Sequence, residues 1–413
     1  MNNLMTDLYP DYIPPLFENI DSTDYSALSA CLAQTPGYNR SEEANMLGAE
    51  TDSEAIRTFL QDYRQTKLTY RSYLKEIERL VLWCIYIPKL TISNLKREHL
   101  IAYREFLTEP QPERLWCGPR QTRMLATGQA NPEWRAFGSK LAPPSIRKVV
   151  SILDSFFNYL VMNNYLAGNP MAVDKRRKGK KSNNTDRWLE RDEIIMLLEA
   201  LNDNLNENNH FEIARAKYII LTLFYTGMRL AEFTNHTMGN FTLIENEWFL
   251  NIIGKGEKPR KIVVVDEYLE VLANYRKHIG MASVLPEFNE STPLVPAQDK
   301  KSPITPSRVW QIVKWAAELG ALKFEALAEL ALPNQEGQEE KLRFLHKASK
   351  LRKASPHWFR HSYGTYLVKS GCAIEKVKEL MGHSDISTTT LYLHTAKIDL
   401  HTSARGLSLN LNF

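Results

Sequence analysis

A run of basic residues near the middle of the chain divides it into two parts. The sequence Lys-Arg-Arg-Lys-Gly-Lys-Lys occupies 175–181 and is followed by Ser182-Asn183-Asn184. These residues offer no apolar surface to bury and their like charges repel one another, so the segment cannot form a folded core. We therefore predict a basic linker over 173–187. The chain of 413 residues is long enough to form a domain on each side of it.

The overall charge of +4 conceals a strong asymmetry along the chain. Residues 1–60 contain ten acidic and two basic residues, whereas 139–187 contain ten basic and three acidic residues. A second basic stretch, 341–361, has seven Lys or Arg and no acid. Either basic stretch alone could be solvated surface, but the two together favour a polyanionic partner. The candidate contacts are Lys175, Arg176, Arg177, Lys178, Lys180 and Lys181 in the linker and Lys350, Arg352 and Lys353 beyond it.

Apolar residues at helical spacing predict a helical first domain over 54–172. Its clearest helix begins at Pro143-Pro144, carries an apolar stripe with a period of about 3.6 residues, and is stopped by the turn residues at 168–170. Residues 109–142 lack periodicity, which predicts a long loop or an insertion. Residues 1–53 are acidic and interrupted by prolines, so we expect an irregular N-terminal arm there.

The region 188–413 is predicted to be a second domain that combines helices with a small antiparallel sheet. Helical patterns cover 189–201 and 213–226, and β-rich runs at 248–253 and 261–265 flank a hairpin connection. The predicted fold class is therefore mainly α, with a small antiparallel β-sheet confined to the second domain.

Two later segments of this domain are expected to be additions. A helix that opens at Thr305-Pro306 is expected to stop at Gly320, and about 321–353 is expected to be an insertion. The last residues, 396–413, form a tail that ends in alternating apolar and polar side chains, typical of a short strand.

Composition restricts the setting in which the protein works. No apolar run approaches the about 18–20 residues of a membrane span, and the N-terminus lacks the pattern of a secretory signal. The four cysteines lie far apart without a Cys-x-x-Cys pair, which argues against a disulfide scaffold and a cysteine-built zinc site. A reducing cytoplasm is the simplest compartment, and no membrane partner is expected.

Four short motifs in the second domain carry side chains suited to phosphate chemistry. They are Arg229 and Glu232 in a TGMRLAE segment, Lys255 between two glycines, His357 and Arg360 in a PHWFRH segment, and Gly382-His383 followed by Tyr392. Each motif alone has an ordinary explanation, such as a surface ion pair, a solvated turn or a core tyrosine. Together, guanidinium and imidazole groups can bind a phosphate while a tyrosine hydroxyl attacks it.

The same residues argue against a metal or another cofactor. His357 and His361 are spaced like a zinc pair, but the glutamate of an HExxH motif is missing and no nearby carboxylate completes a site. No acidic cluster is present to hold Mg²⁺. Because the ordinary pKa of tyrosine is about 10, its activation would depend on a base or a strongly positive pocket.

The order of these motifs resembles the tyrosine recombinase (phage integrase) family. TGMRLAE, the GKG hairpin, HWFRHS and MGHSDISTTTLY occur in the family's order. The intervals also agree: 26 residues from Arg229 to Lys255, 26 from His357 to His383, and nine to Tyr392. The resemblance covers roughly 188–395, and 54–172 resembles the family's SAM-like core-binding domain. Type IB topoisomerases are a more distant resemblance.

The resemblance implies a metal- and ATP-independent site-specific recombinase. Tyr392 would attack the scissile phosphate and leave a 3′-phosphotyrosyl link, while Lys255 would be the general acid for the leaving 5′ oxygen. Arg229 and Arg360 would clamp the non-bridging oxygens. The reaction would serve integration and excision, transposition or resolution of a mobile element.

The remaining roles and the partners also follow from the resemblance. His357 would assist proton transfer, His383 would bind the phosphate, and Glu232 would orient the pocket. The partners would be a double-stranded recombination site and further copies of the chain, as a tetramer on two sites within the bacterial nucleoid. The acidic arm or the insertion would contact an accessory protein, and the tail would dock on a neighbouring protomer. A catalytically silent DNA-binding protein and a topoisomerase-like enzyme remain as alternatives.

Overall fold

The computed structural model describes residues 10–19, 21, 24, 26–28, 37–172, 187–206, 208–254, 258–299, 301–383 and 389. The chain forms two compact units, Met1–Lys181 and Ser182–Phe413, and the division falls within the predicted linker. The basic run 175–181 and the tail 396–413 lie outside the described residues.

Helices frame the first unit: α1 (Asp52–Asp62), α2 (Lys67–Tyr86), α3 (Arg97–Thr108), α4 (Glu113–Trp116) and α5 (Pro143–Met162). The predicted stripe of α5 is confirmed, because its apolar face is buried in the core of the unit. Phe59 of α1 contacts Phe156 of α5 edge to face at 5.1 Å and stacks on Tyr73 of α2 at 5.3 Å. These aromatic contacts join the three helices, as the apolar periodicity requires.

The predicted arm and the 109–142 segment both pack onto α2. The carboxylate of Glu78 is buried there and accepts from the main-chain N–H of Leu16, 3.0 Å away. The guanidinium of Arg123 pairs with the same carboxylate at 2.6 Å and also donates to the carbonyl of Phe17. Trp116 is buried against Phe106 in the same unit. The two segments that lack periodicity are thus part of the first core.

Helices and one three-stranded sheet form the described part of the second unit. The helices are α6 (Arg191–Asp203), α7 (His210–Thr226), α8 (Leu230–Asn235), α9 (Asp266–His278), α10 (Pro306–Glu329), α11 (Gln335–Lys353), α12 (Pro356–Lys369) and α13 (Ile374–Met381). The strands β1 (Phe241–Ile244), β2 (Glu247–Ile253) and β3 (Pro259–Val264) pair antiparallel in that order. The predicted fold class is confirmed.

Strand β1 was not predicted from the sequence. It is joined to β2 by Glu245 and Asn246, which adopt positive φ angles of 50° and 67°. Two successive residues with positive φ form the two-residue turn whose twist matches that of a β-hairpin. Glutamate is unusual at the first position of such a turn. The turn therefore carries no clear signal in the sequence.

Gly320 does not end a helix, contrary to the prediction. It lies within α10, which continues to Glu329. A Cβ at this position would lie 3.1 Å from Cα of Leu197 and 3.0 Å from the Leu351 side chain. The absent side chain lets α10 pack closely against α6 and α11. Since Ala348 and Leu351 of α11 are also buried in the core, the helices of the predicted insertion are built into the second unit.

Candidate active site

The TGMRLAE segment forms the junction between α7 and α8. Gly227 ends α7 in the left-handed conformation, with φ of 56°, which confirms the predicted glycine stop. A Cβ at Gly227 would lie 2.3 Å from Cδ1 of Tyr363, so close packing as well as the backbone angle requires glycine. Arg229 then caps α8, and its main-chain N–H donates to Oε2 of Glu232 at 2.8 Å. The turn thereby fixes the backbone position from which the Arg229 side chain extends.

Glu232 lies between two arginines. Its Oε1 accepts from Nη1 of Arg229 and its Oε2 from Nη2 of Arg260, each at 2.8 Å. Burial alone would raise the pKa of this carboxyl, but the charge of Arg260 and hydrogen bonds from both arginines hold its pKa below the ordinary value. Glu232 is therefore an anion at neutral pH, and it holds both guanidinium groups in place.

The end of α13 is joined to the same network. Gly382 terminates this helix with φ of 62°, as predicted, and its carbonyl accepts from Nη2 of Arg229 at 2.8 Å. Arg260 donates to the carbonyl of Leu380, and a Cβ at Gly382 would lie 2.8 Å from Cδ of Arg260. Glycine is thus needed where the helix end lies against the Arg260 side chain.

The PHWFRH segment opens α12 and places Arg360 in the interior. Arg360 is only 2% exposed, and its Nη1 and Nη2 donate to the carbonyls of Gly227 and Met381. These two carbonyls belong to the ends of α7 and α13. Arg360 therefore joins the segments that carry Arg229 and His383, which are 154 positions apart in the sequence.

Three imidazoles lie close to these arginines. The rings of His357 and His361 are 4.3 Å apart and nearly perpendicular, and Nδ1 of His383 lies 2.9 Å from Oγ1 of Thr389. Burial and then the charges of Arg360 and Arg229 lower the pKa of His383 to about 4. Burial and the neighbouring His357 lower the pKa of His361 to about 3.

His357 lies at the exposed edge of this group. Desolvation of its packed side and the charges of Arg360 and Arg229 lower its pKa below the ordinary value. The same guanidinium charges depress the pKa of His383, so the site has a positive potential that favours a bound anion. Within the described ranges, no group of three or more metal-ligating side chains occurs, and the two histidines of the zinc-like spacing have no third ligand there.

Some predicted site residues are brought together and others are not described. Arg229, Glu232, Arg360, His357 and His383 lie in one cluster, as detailed above. Lys255 and Tyr392 lie outside the described residues, as do the linker candidates Lys175, Arg176, Arg177, Lys178, Lys180 and Lys181.

Two of the three predicted basic contacts on α11 are paired with carboxylates of the same unit. Lys350 donates to the buried Glu193 carboxylate at 2.8 Å, and Arg352 pairs with Glu318 and Glu325. These partners come from α6 and α10, so both cations are engaged in packing α11 onto the domain. The roles of Lys350 and Arg352 as DNA contacts, like that of the exposed Lys353, stay predictions.

Arg260 is the site residue that the sequence analysis missed. Its side chain is 8% exposed and contacts Glu232 and Leu380, which are 28 and 120 positions away. The only local signal is its place directly after Pro259, at the start of a strand that leaves the hairpin. A basic residue at the start of a strand is as common on a solvent-exposed strand as in a functional site. Only the fold shows that Arg260 points into the site.

A sequence model of the phage integrase family matches residues 187–327 and 333–398, which contain all of the motifs described above. The chain belongs to the phage integrase family. Like other members of this family, it is a tyrosine recombinase, an enzyme that breaks and rejoins DNA. The match resumes at 333, inside the predicted insertion, in keeping with the packing of α11 in the core.

Curated phage integrase family relatives are similar along most of the chain. The tyrosine recombinase of Thermosipho africanus is 26% identical over 334 residues, which cover 81% of this chain and 90% of its own length. The tyrosine recombinase XerD of Staphylococcus aureus is 26% identical over 310 residues, covering 74% of this chain and 88% of its own. The sequence similarity to these relatives therefore extends beyond the second unit, which contains the catalytic motifs.

Solved structures show the same fold. The XerH site-specific recombinase bound to a palindromic difH substrate has a TM-score of 0.53 and 18% identity, covering 95% of this chain and 98% of that one. The Tn1549 transposon integrase in complex with transposon right end DNA has a TM-score of 0.53 and 16% identity, covering 85% and 97%. Among the described residues, no helix has the length and apolar character needed to cross a membrane.

Proposed function

We propose that this tyrosine recombinase cleaves and exchanges DNA strands at a specific site through a 3′-phosphotyrosyl intermediate. The observation that carries the proposal is the convergence of Arg229, Arg360 and His383 from the start of α8, the interior of α12 and the end of α13. A structural core has no need for two guanidinium groups beside three imidazoles. A phosphodiester anion would be stabilised by this positive potential.

In the proposed cleavage step, each proton transfer and each bond change has a named residue. The hydroxyl oxygen of Tyr392 attacks phosphorus and its proton passes to His357, whose lowered pKa keeps it neutral and able to accept at pH 7. The bond from phosphorus to the 5′ oxygen breaks, and Lys255 donates a proton to that oxygen. Arg229 and Arg360 stabilise the non-bridging oxygens, and His383 hydrogen-bonds one of them.

Rejoining reverses this step on a partner strand. A 5′-hydroxyl attacks phosphorus, the bond to Tyr392 breaks, and the tyrosine regains its proton. Because the phosphotyrosyl link conserves the energy of the phosphodiester, the proposed reaction requires no ATP. The positive side chains stabilise the phosphate charge, so the proposed reaction requires no metal. Exchange between two recombination sites places four protomers together, and we propose this tetramer as the active assembly. Its biological use is integration and excision, transposition or resolution of a mobile element.

Covalent trapping tests the proposal. Wild type and Tyr392→Phe are incubated without metal with nicked duplexes taken from the boundaries of the encoding gene. We expect a band stable to SDS with wild type and none with the variant. Salt-sensitive binding without an adduct would favour the DNA-binding alternative. Relaxation of supercoiled plasmid without any site requirement would favour the topoisomerase-like alternative.

A further inference from the structure

His236 links the end of α8 to the end of strand β2. Its Nδ1 lies 2.7 Å from the carbonyl oxygen of Glu232, and its Nε2 lies 2.8 Å from the main-chain nitrogen of Ile253. A main-chain N–H can only donate, so Nε2 must be the unprotonated nitrogen and Nδ1 must carry the proton. The ring is therefore neutral and held in one tautomer, with Nδ1 donating to the helix end.

The strand needs this acceptor because β2 is longer than its neighbour. Strand β1 begins at Phe241 opposite Leu250, so the last residues of β2 extend past it. The N–H of Gly254 donates to the carbonyl of Lys258 on the β3 side, and the preceding N–H of Ile253 must point to the opposite, uncovered edge. His236 supplies at that edge the acceptor that a neighbouring strand would otherwise provide.

The main chain at His236 is itself held firmly. Its carbonyl accepts from the N–H of Leu294 at 3.0 Å, and the N–H of Met238 donates to the carbonyl of Thr292 at 2.7 Å. The imidazole therefore spans two fixed elements. It also explains how the end of β2 lies so close to the catalytic cluster, since a Cβ at Gly254 would be 3.4 Å from Oε1 of Glu232.

We infer that His236 is a positioning residue that fixes the end of β2, up to Gly254, against the helix that carries Arg229 and Glu232. The inference rests on the proposed function, in which Lys255, the next residue in the sequence, is the general acid. Glu232 then serves two elements: its carboxylate holds the arginines and its carbonyl holds His236. Without the bridge, proton donation to the leaving oxygen becomes slow, while DNA binding is retained.

The test compares two kinds of leaving group. Single-turnover cleavage is measured on a nicked duplex that traps wild type, made with either oxygen or sulfur at the bridging 5′ position of the scissile phosphate. A thiol has an ordinary pKa of about 8.5 and leaves as a thiolate without a proton. A defect in proton donation therefore slows the oxygen substrate and spares the sulfur substrate. A general loss of active-site structure slows both.

His236→Leu removes both hydrogen bonds, whereas His236→Gln keeps a donor and an acceptor on one side chain. We expect the leucine variant to lose about 10- to 100-fold on the oxygen substrate and less than about 3-fold on the sulfur substrate, with unchanged DNA affinity. The glutamine variant should recover most of the oxygen rate. Lys255→Ala is the reference for complete loss of the acid and should show the same selective rescue by sulfur.

The outcomes separate the inference from the proposed function. If wild type forms no adduct or if sulfur fails to rescue Lys255→Ala, the proposed mechanism is wrong and the inference falls with it. If Lys255→Ala is rescued but His236→Leu cleaves the oxygen substrate like wild type, His236 has no positioning role. Equal slowing of both substrates by His236→Leu would also overturn it, because the defect would then lie elsewhere in the site.

Discussion

Arg260 donates a 2.8 Å hydrogen bond to the Glu232 carboxylate, whose other oxygen accepts from Arg229. The three side chains form a chain of alternating charge in which the central carboxylate is 5% exposed. Arg260 therefore acts on the phosphate site through Glu232. If Arg260 is removed, the buried Glu232 carboxylate keeps Arg229 as its only arginine partner. That carboxylate is then held less firmly, and so is the Arg229 guanidinium bound to it.

We expect Arg260→Met to slow strand cleavage while leaving DNA affinity almost unchanged. A hydrogen bond to a charged group contributes about 1.5–3 kcal/mol, which corresponds to about a 10- to 100-fold loss of the single-turnover rate. Lys261→Met is the matched control, since it removes one positive charge from the exposed neighbour on the other face of β3. Equal rates for the two variants would show that only overall charge matters.

Gly227→Ala should destabilise the second unit and abolish cleavage. The backbone angle costs about 1–2 kcal/mol for a residue with a Cβ, and the new methyl group must also displace the Tyr363 ring. Gly371→Ala is the matched control, because Gly371 has φ of 84° in open space within the same unit. Thermal unfolding should show the larger loss for Gly227→Ala, and similar losses for the two variants would contradict the role of Tyr363.

Much of this site could be predicted from local signals. The glycine stops at 227 and 382 and the paired Arg229 and Glu232 are features of single helices, and the structure has them as predicted. Contacts between distant segments could not be predicted in this way. Arg260 is part of the site only because β3 lies beside α13, a relation that no local pattern contains.

One error and one untested prediction show the limits of local signals. Gly320 was interpreted as a helix stop because glycine is common at helix ends, but here it allows α10 to approach α6. The basic residues Lys350 and Arg352 form a charge pattern typical of DNA contacts, but the sequence around them does not show that they also pair with acidic residues on other helices. In each case the decisive neighbour is distant in sequence.

The folded protein should lose stability as the pH falls from about 7 to about 4. The pKa of His383 is lowered to about 4 and that of His361 to about 3, both below the ordinary value of 6.5. The unfolded chain therefore binds protons first, and the stabilisation present above about pH 6.5 is lost on acidification. Each histidine contributes a slope of at most about 1.4 kcal/mol per pH unit.

Urea unfolding of wild type and His361→Gln between pH 8 and pH 4.5 measures this slope. We expect a shallower decline in the variant, because one histidine that must stay neutral has been removed. His346→Gln is the control, since His346 is exposed on α11. Identical slopes for wild type and His361→Gln would show that His361 does not contribute to the acid sensitivity.

Arg123→Met should destabilise the first unit strongly, although it lies outside any predicted helix. The variant leaves the Glu78 carboxylate buried without its ion-pair partner, which typically costs about 3–5 kcal/mol. Adding Glu78→Gln removes the unpaired charge, so the double variant should regain much of the lost stability. Denaturant unfolding of the single and double variants measures this coupling. Additive losses would mean that Arg123 acts through its contact with the Phe17 carbonyl rather than through Glu78.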